Sequence, residues 1–120
     1  MIRLEIPGLP KSMNNILRMH RMEAYKYFRD CQDEIVLIAK RDKVIPKEPF
    51  EKAEIKIMFV FPDKIKRDFD NMFGGCKGYI DGIKKAGIIV DDNWKRISYD
   101  FDGKIGEAPK TIIIIKEAEN

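Results

Sequence analysis

An α/β (α+β) fold, with a small mixed β-sheet and two main helices packed on it, is what three features of the chain predict. Strand-like and helix-like hydrophobic periods alternate in the order strand, helix, strand, helix, strand, strand. Proline or glycine marks most of the boundaries between them. At 120 residues and 44% hydrophobic content, the chain has the material for one modest core, so a single domain over 1–120 is expected.

Ile2 to Ile6 alternates apolar and polar residues as a half-buried strand does, and Pro7-Gly8-Leu9-Pro10 ends it before a loop through Asn14-Asn15. From about Met22 to Lys40, Ala24, Tyr27, Phe28, Cys31, Ile35, Ile38 and Ala39 recur at the three-and-four spacing of an amphipathic helix, with Pro46 and Pro49 beyond its exit. Glu54 to Phe61 starts as an alternating strand and becomes continuously apolar, as a strand covered on both faces near its end does; Pro62 stops it. Phe73, Cys76, Ile80, Ile83 and Ala86 mark one side of a second helix that closes at Gly87, a residue suited to the left-handed position after a helix. Ile97 to Phe101 and Thr111 to Lys116 read as two strands of a hairpin with a long loop, and the run Ile112 to Ile115 suggests a strand packed on both faces or an edge strand in a dimer interface.

Charged residues make up 36% of the chain, yet the formal net charge is only +3. Their distribution says more than the total. Lys64, Lys66 and Arg67 precede a group of carboxylates, and Lys84, Lys85, Lys95 and Arg96 surround a later acidic pair, an arrangement that draws a polyanion such as DNA toward an acidic centre. Cys31 and Cys76 sit in apolar helical patterns, which reads as reduced core thiols. The first residues lack a basic segment followed by a hydrophobic one, and no apolar run approaches membrane-spanning length, so a cytoplasmic protein with no membrane partner is expected.

The acidic centre comprises Asp68, Asp70, Asp81 and the pair Asp91-Asp92, with Asn71 and Lys77 among them. Carboxylate oxygens suit Mg²⁺, which keeps several waters and takes one or two protein carboxylates while bridging to substrate phosphates. Metal-assisted phosphate chemistry is the leading reading of these residues. If the approach to the helix is extended, Asp68 and Asp70 emerge on one side and Phe69 points into the core. Alternatively, Asp70 or Asn71 is an ordinary helix cap. An EF-hand loop starting at Asp68 is excluded, because Met72, Phe73 and Tyr79 fall where it needs a ligand, a glycine and a glutamate. A phosphatase-type Asp-x-Asp nucleophile fits poorly, since 62–67 separates the strand from Asp68. Lys77 and Asp81 would form a helical ion pair worth roughly 0.2 to 0.5 kcal/mol if their role is structural. Asp81 reads as structural, Asn71 as a turn residue or a positioner of water, His20 as an exposed or helix-start residue and Trp94 as a packing anchor.

The block from Arg67 to Asp92, read as Asp-Phe-Asp-Asn, then Lys77 with Asp81 four residues on, Gly87 and Asp91-Asp92, resembles the RusA family of Holliday junction resolvases (crossover junction endodeoxyribonucleases). Ile6-Pro7-Gly8-Leu9-Pro10-Lys11-Ser12-Met13-Asn14 is similar to that family's proline-containing start. The resemblance implies a compact RusA-like homodimer acting on four-way junction DNA by paired, Mg²⁺-dependent nicks. It also implies that Asp68, Asp70 and Asp92 hold the metal and support hydrolysis, with Asp91 as the neighbour in the metal-binding pair and Lys77 as the catalytic lysine. The chain departs from the family by three additional residues within Met72-Phe73-Gly74-Gly75-Cys76, which leaves Gly74 where the gapless alignment needs a lysine. The contrasting expectation is a non-catalytic, junction-binding architectural protein whose carboxylates maintain the fold.

Overall fold

The computed structural model describes residues 1–119. Strand β1 (Ile2–Pro7) leads through a short helix α1 (Met13–Leu17) into the long helix α2 (Arg21–Arg41). Strand β2 (Ala53–Phe61) follows, then helices α3 (Phe69–Gly74) and α4 (Lys77–Lys85), strand β3 (Ile97–Ile105) and strand β4 (Lys110–Glu117). Together they make a mixed α+β fold with a four-stranded sheet in the order β1-β4-β2-β3. None of the helices among the described residues is long and apolar enough to cross a membrane.

The expected hairpin between the last two strands does not form. β3 pairs in parallel with β2, from Ala53↔Ile97 to Phe61↔Ile105, while β4 inserts between β1 and β2, antiparallel to both. The α3–α4 segment is the crossover that lets β2 and β3 run in parallel. Isoleucine-rich β4 thereby gains a hydrogen-bonding neighbour on each edge. Its Ile113 and Ile115 align with Leu4 and Ile2 of β1 and with Ile57 and Ile55 of β2, all buried beneath the helices.

The isoleucine run has helices over one face only; Ile112 and Ile114 point to the other face, where Ile112 is nevertheless 4% exposed and Ile114 is half-buried. There Ile112 lies between Glu5 and Met58, and Ile114 between Arg3 and Lys56. Long side chains flank these isoleucines on that face, and their aliphatic stems are able to shield apolar surface. At the end of β2 the expected double cover does exist. The turn at Gly106, whose N–H donates to the Phe61 carbonyl, closes over Val60, which is 2% exposed.

α2 packs Cys31, Ile35, Ile38 and Ala39 inward, and His20 caps its start by accepting the Met22 N–H on Nδ1 at 3.2 Å. α4 lies so close along α2 that a Cβ at Gly78 would fall 2.7 Å from the Cβ of Cys31, and one at Gly82 2.7 Å from that of Ile35. Both cysteines are buried in this core, as expected. Gly87 adopts φ +85° directly after α4, the left-handed conformation its position implied.

Candidate functional site

The carboxylate block begins where β2 gives way to an irregular connection. Asp63 shapes it, accepting the Ile65 N–H at 3.0 Å and the Arg67 Nη1 at 2.8 Å, while the Arg67 guanidinium stacks over the Phe61 ring at 4.7 Å. Arg67, expected to contact DNA, is therefore a partly buried structural cation. Asp68 is extended and precedes α3 as its cap position, yet its side chain makes no capping bond. Asp70 lies in the first turn and accepts the Asn71 N–H at 2.9 Å. Because the chain is already helical at Phe69, the alternating geometry expected for Asp68 and Asp70 does not arise. Phe69 does not enter the core either: it is 44% exposed and stacks on buried Phe59 at 6.3 Å.

Asn71 ties α3 to the N-terminal segment, its Oδ1 accepting the Asn14 N–H at 2.9 Å. That bond assigns Asn71 to holding structure together. The expected single helix over this region is two, because the chain breaks at Gly75-Cys76. Gly75 lies against the N-terminal loop so closely that a Cβ there would sit 1.8 Å from the Lys11 carbonyl oxygen, and Gly74 faces the Met13 side chain. Gly74 and Gly75 thus form the seat for Lys11–Met13.

The break aims α4 so that Lys77 opens onto a cavity of about 270 Å³ lined by Met13, Phe73, Gly74, Lys77, Ile80, Asp81, Asp92 and Tyr99. Phe73 forms its aromatic wall, tilted against Tyr99 at 5.2 Å and edge-on to Phe101 at 4.6 Å. Asp70 precedes Phe73 and Gly74 by three and four residues, so it occupies the same face of α3 one turn toward the helix start. Lys77 also pairs with Asp81 at 3.5 Å, the structural alternative its spacing allowed, and both residues line the cavity. Burial, followed by the negative charges of Asp92 and Asp81, pushes the Tyr99 hydroxyl up to about 12, so it stays protonated at neutral pH. The cavity therefore combines a cation, two carboxylates and a neutral phenol over an apolar floor. A larger depression of about 390 Å³ on the opposite sheet face is lined by Glu54, Lys56, Asp100 and Lys116, charges of both signs spread along strands without such convergence.

The other expected ligands are dispersed. Asp68 lines a separate cleft with Lys11, Ser12, Lys66 and Asn71. Asp91 turns to Lys84 at 3.0 Å and also accepts from the Asp92 N–H and the Asn93 amide, which fixes the turn after Val90. It is occupied as a structural acceptor where metal ligation was expected. Among the described residues no group of three acidic, histidine or cysteine side chains is close enough together to hold a metal ion. Asp68, Asp70, Asp91 and Asp92 therefore do not fit a preformed multi-carboxylate Mg²⁺ centre. Of the expected DNA-contacting cations, Lys84, Lys85 and Arg96 pair with Asp91, Asp33 and Glu51. Lys64 and Lys66 are exposed, and Lys95 lies over the ring of Trp94 at 5.7 Å. Trp94 is 83% exposed and anchors no packing, so it remains available for stacking.

Of the eight cavity residues, sequence reasoning assigned Lys77 and Asp92 to the site and missed Met13, Phe73, Gly74, Ile80, Asp81 and Tyr99. Asp81 carried a legible signal in its four-residue spacing from Lys77, whereas Tyr99 joins only through the parallel pairing of β3. The Lys84–Asp91 pair predicts a pH effect. Lys84 first, then the Asp92 N–H and the Asn93 amide, hold the Asp91 carboxyl below its ordinary range. A group depressed in the folded state contributes stability above its unfolded value of about 3.9, and that contribution is lost as pH falls through the lower folded value. Lys84→Met is expected to melt at lower temperature than wild type at pH 6, with the gap closing in strong acid; a gap independent of pH would show that the pair does not govern this turn.

Comparison of the chain with protein-family models and with curated proteins gives no match.

Proposed function

We propose that this protein is a Mg²⁺-dependent endonuclease of the RusA type, which resolves four-way DNA junctions as a homodimer by paired phosphodiester hydrolysis. The observation that carries the reading is the convergence of Lys77, Asp81 and Asp92 on one cavity, with Asp70 on the adjoining face of α3. Lys77 and Asp81 share α4, while Asp92 comes from the turn beyond that helix and Asp70 from α3, so the charges meet across three segments. In this reading Lys77 offsets the charge of a backbone phosphate entering the cavity. Asp92 or Asp70 accepts the proton of the attacking water, and Tyr99, held neutral, donates to a phosphate oxygen.

Mg²⁺ belongs to this proposal as an ion taken up with the DNA phosphate, because a cation that keeps its waters needs only one or two protein carboxylates. Asp92, and Asp70 from the adjoining face of α3, would be the hard-oxygen donors for it. When bound, the ion would supply charge neutralisation at the phosphate. The dispersal of Asp68 and Asp91 favours the second reading, a junction-binding protein without turnover.

Incubating purified protein with junction, duplex, flap and single-stranded DNA, with Mg²⁺ or with chelator, separates the two. Junction cleavage that needs Mg²⁺ is the expected result. Binding without cleavage in any divalent cation would favour the architectural protein. The homodimer is tested with the same sample: sedimentation should give twice the monomer mass, and a supercoiled cruciform should yield linear product before nicked circle accumulates.

A further inference from the structure

A basic segment lies outside the cavity, at the junction of α1 and α2. Residues 18–29 carry Arg18, Arg21, Lys26 and Arg29 against one carboxylate, Glu23, a net +3 that equals the formal net charge of the whole chain. Lys26 pairs with Asp30 at 3.5 Å, but Arg18, Arg21 and Arg29 pair with no carboxylate among the described residues and are exposed. Arg21, Tyr25 and Arg29 follow one another at four-residue intervals, so they line one ridge of α2, and all three are exposed. Between them stand apolar side chains open to solvent, Met22 at 67% and Tyr25 at 65%, with Arg29 over the Tyr25 ring at 5.7 Å. Cations without partners beside an exposed aromatic ring are the composition of a polyanion-binding surface.

Its position joins it to the cavity. Met13, the first residue of α1, lines the cavity, and Asn14 is bonded to Asn71 of α3. α1 has five residues, about 7.5 Å along its axis, and Arg18 closes it. From Arg21 to Arg29 is about 12 Å along α2, the run of three to four phosphates of one DNA strand.

We infer that Arg18, Arg21 and Arg29 form a second DNA-contact surface, which holds the phosphate backbone of an arm leaving the cavity, with Tyr25 and Met22 packing against its sugars. This rests on the reading of the chain as a DNA-acting protein, and the test keeps the two apart. The variant Arg18→Gln, Arg21→Gln, Arg29→Gln is compared with Lys40→Gln, Lys43→Gln, Lys47→Gln, which removes the same charge from exposed lysines at and beyond the far end of α2. Both leave the chain with zero formal net charge. Binding of a labelled four-way junction and of a duplex arm is followed over about 50 to 200 mM salt, where each lost phosphate contact lowers the slope of log affinity against log salt by about 0.9. The arginine variant is expected to lose about 2 to 3 from that slope and on the order of 10² in affinity at low salt, while the lysine variant keeps the wild-type slope. Equal slopes in wild type and arginine variant overturn this surface, and so does an equal loss in both variants, which would make net charge the cause. If the surface fails while Mg²⁺-dependent cleavage persists, the nuclease reading stands alone. Wild-type protein that binds no DNA, or that prefers anionic vesicles to DNA, overturns both.

Discussion

Asp70→Asn is expected to abolish most Mg²⁺-dependent junction cleavage while leaving junction binding intact or tighter. The substitution keeps the size of the side chain and its ability to accept the Asn71 N–H, so α3 retains its first turn. What it removes is one negative charge beside the cavity, and with it a hard-oxygen donor and repulsion toward phosphate. Circular dichroism and gel-shift titration establish folding and binding, and single-turnover rates at saturating DNA isolate the chemistry. Loss of folding and binding together would assign Asp70 to structure. Lys77→Ala is the companion measurement: losing one electrostatic donor costs on the order of 10²-fold or more in rate. The Lys77–Asp81 pair, as an exposed helical ion pair, contributes at most about 0.5 kcal/mol to stability, so the variant should fold. Wild-type turnover in Lys77→Ala would remove lysine from the proposed chemistry. Arg67→Ala is a poor substitute for this test, because the bonds of Arg67 to Asp63 and its stacking on Phe61 make it part of the fold.

Gly75→Ala is expected to destabilise the protein by about 1 to 3 kcal/mol or more, which is the cost of forcing extra volume into packed structure. The sign depends on two opposing effects. Gly75 has φ −71° and ψ −14°, ordinary helical values at which alanine is favoured over glycine by about 1 kcal/mol. Against this, the new methyl would lie 1.8 Å from the Lys11 carbonyl oxygen. That neighbour is backbone, which no rotamer change relieves, so the clash wins. The N-terminal loop must then lift from α3, straining the Asn14–Asn71 bond and moving Met13 at the cavity. Denaturant unfolding should show a lower midpoint, and cleavage should fall with it even at temperatures where the variant is folded. Wild-type stability in Gly75→Ala would mean that the loop seats elsewhere and that Gly74-Gly75 does not build the site.

How far the chain could be read before folding varied by element. β1, α2 and β2 were legible almost to the residue because each has one buried face and a clear period, ended by proline or a turn. The closing glycine of α4 was legible for the same local reason, since a left-handed residue after a helix is a backbone requirement. The two short helices were harder to read. α1 has five residues and one buried side chain, Ile16, too little to leave a period. α3 is separated from α4 by contact with Lys11, a residue more than sixty positions away in the chain.

The chemistry divides along the same line. Composition and spacing alone determined which residue types are present: hard-oxygen donors, a lysine set against them and basic residues on either side. Only tertiary structure decided which of them meet. The parallel pairing of β3 with β2 carries Tyr99 to the cavity, and the helix break aims Lys77 toward Asp92. Local ion pairs with Lys84 and Asp63 commit Asp91 and Arg67 to the fold. Local periodicity records how each segment faces its own core, since that is set by side chains within a few residues. The meeting of side chains from α1, α3, α4, the turn at Asp92 and β3 at one cavity depends on strand order and on backbone close approaches, which involve partners distant along the chain and leave no periodic trace in it.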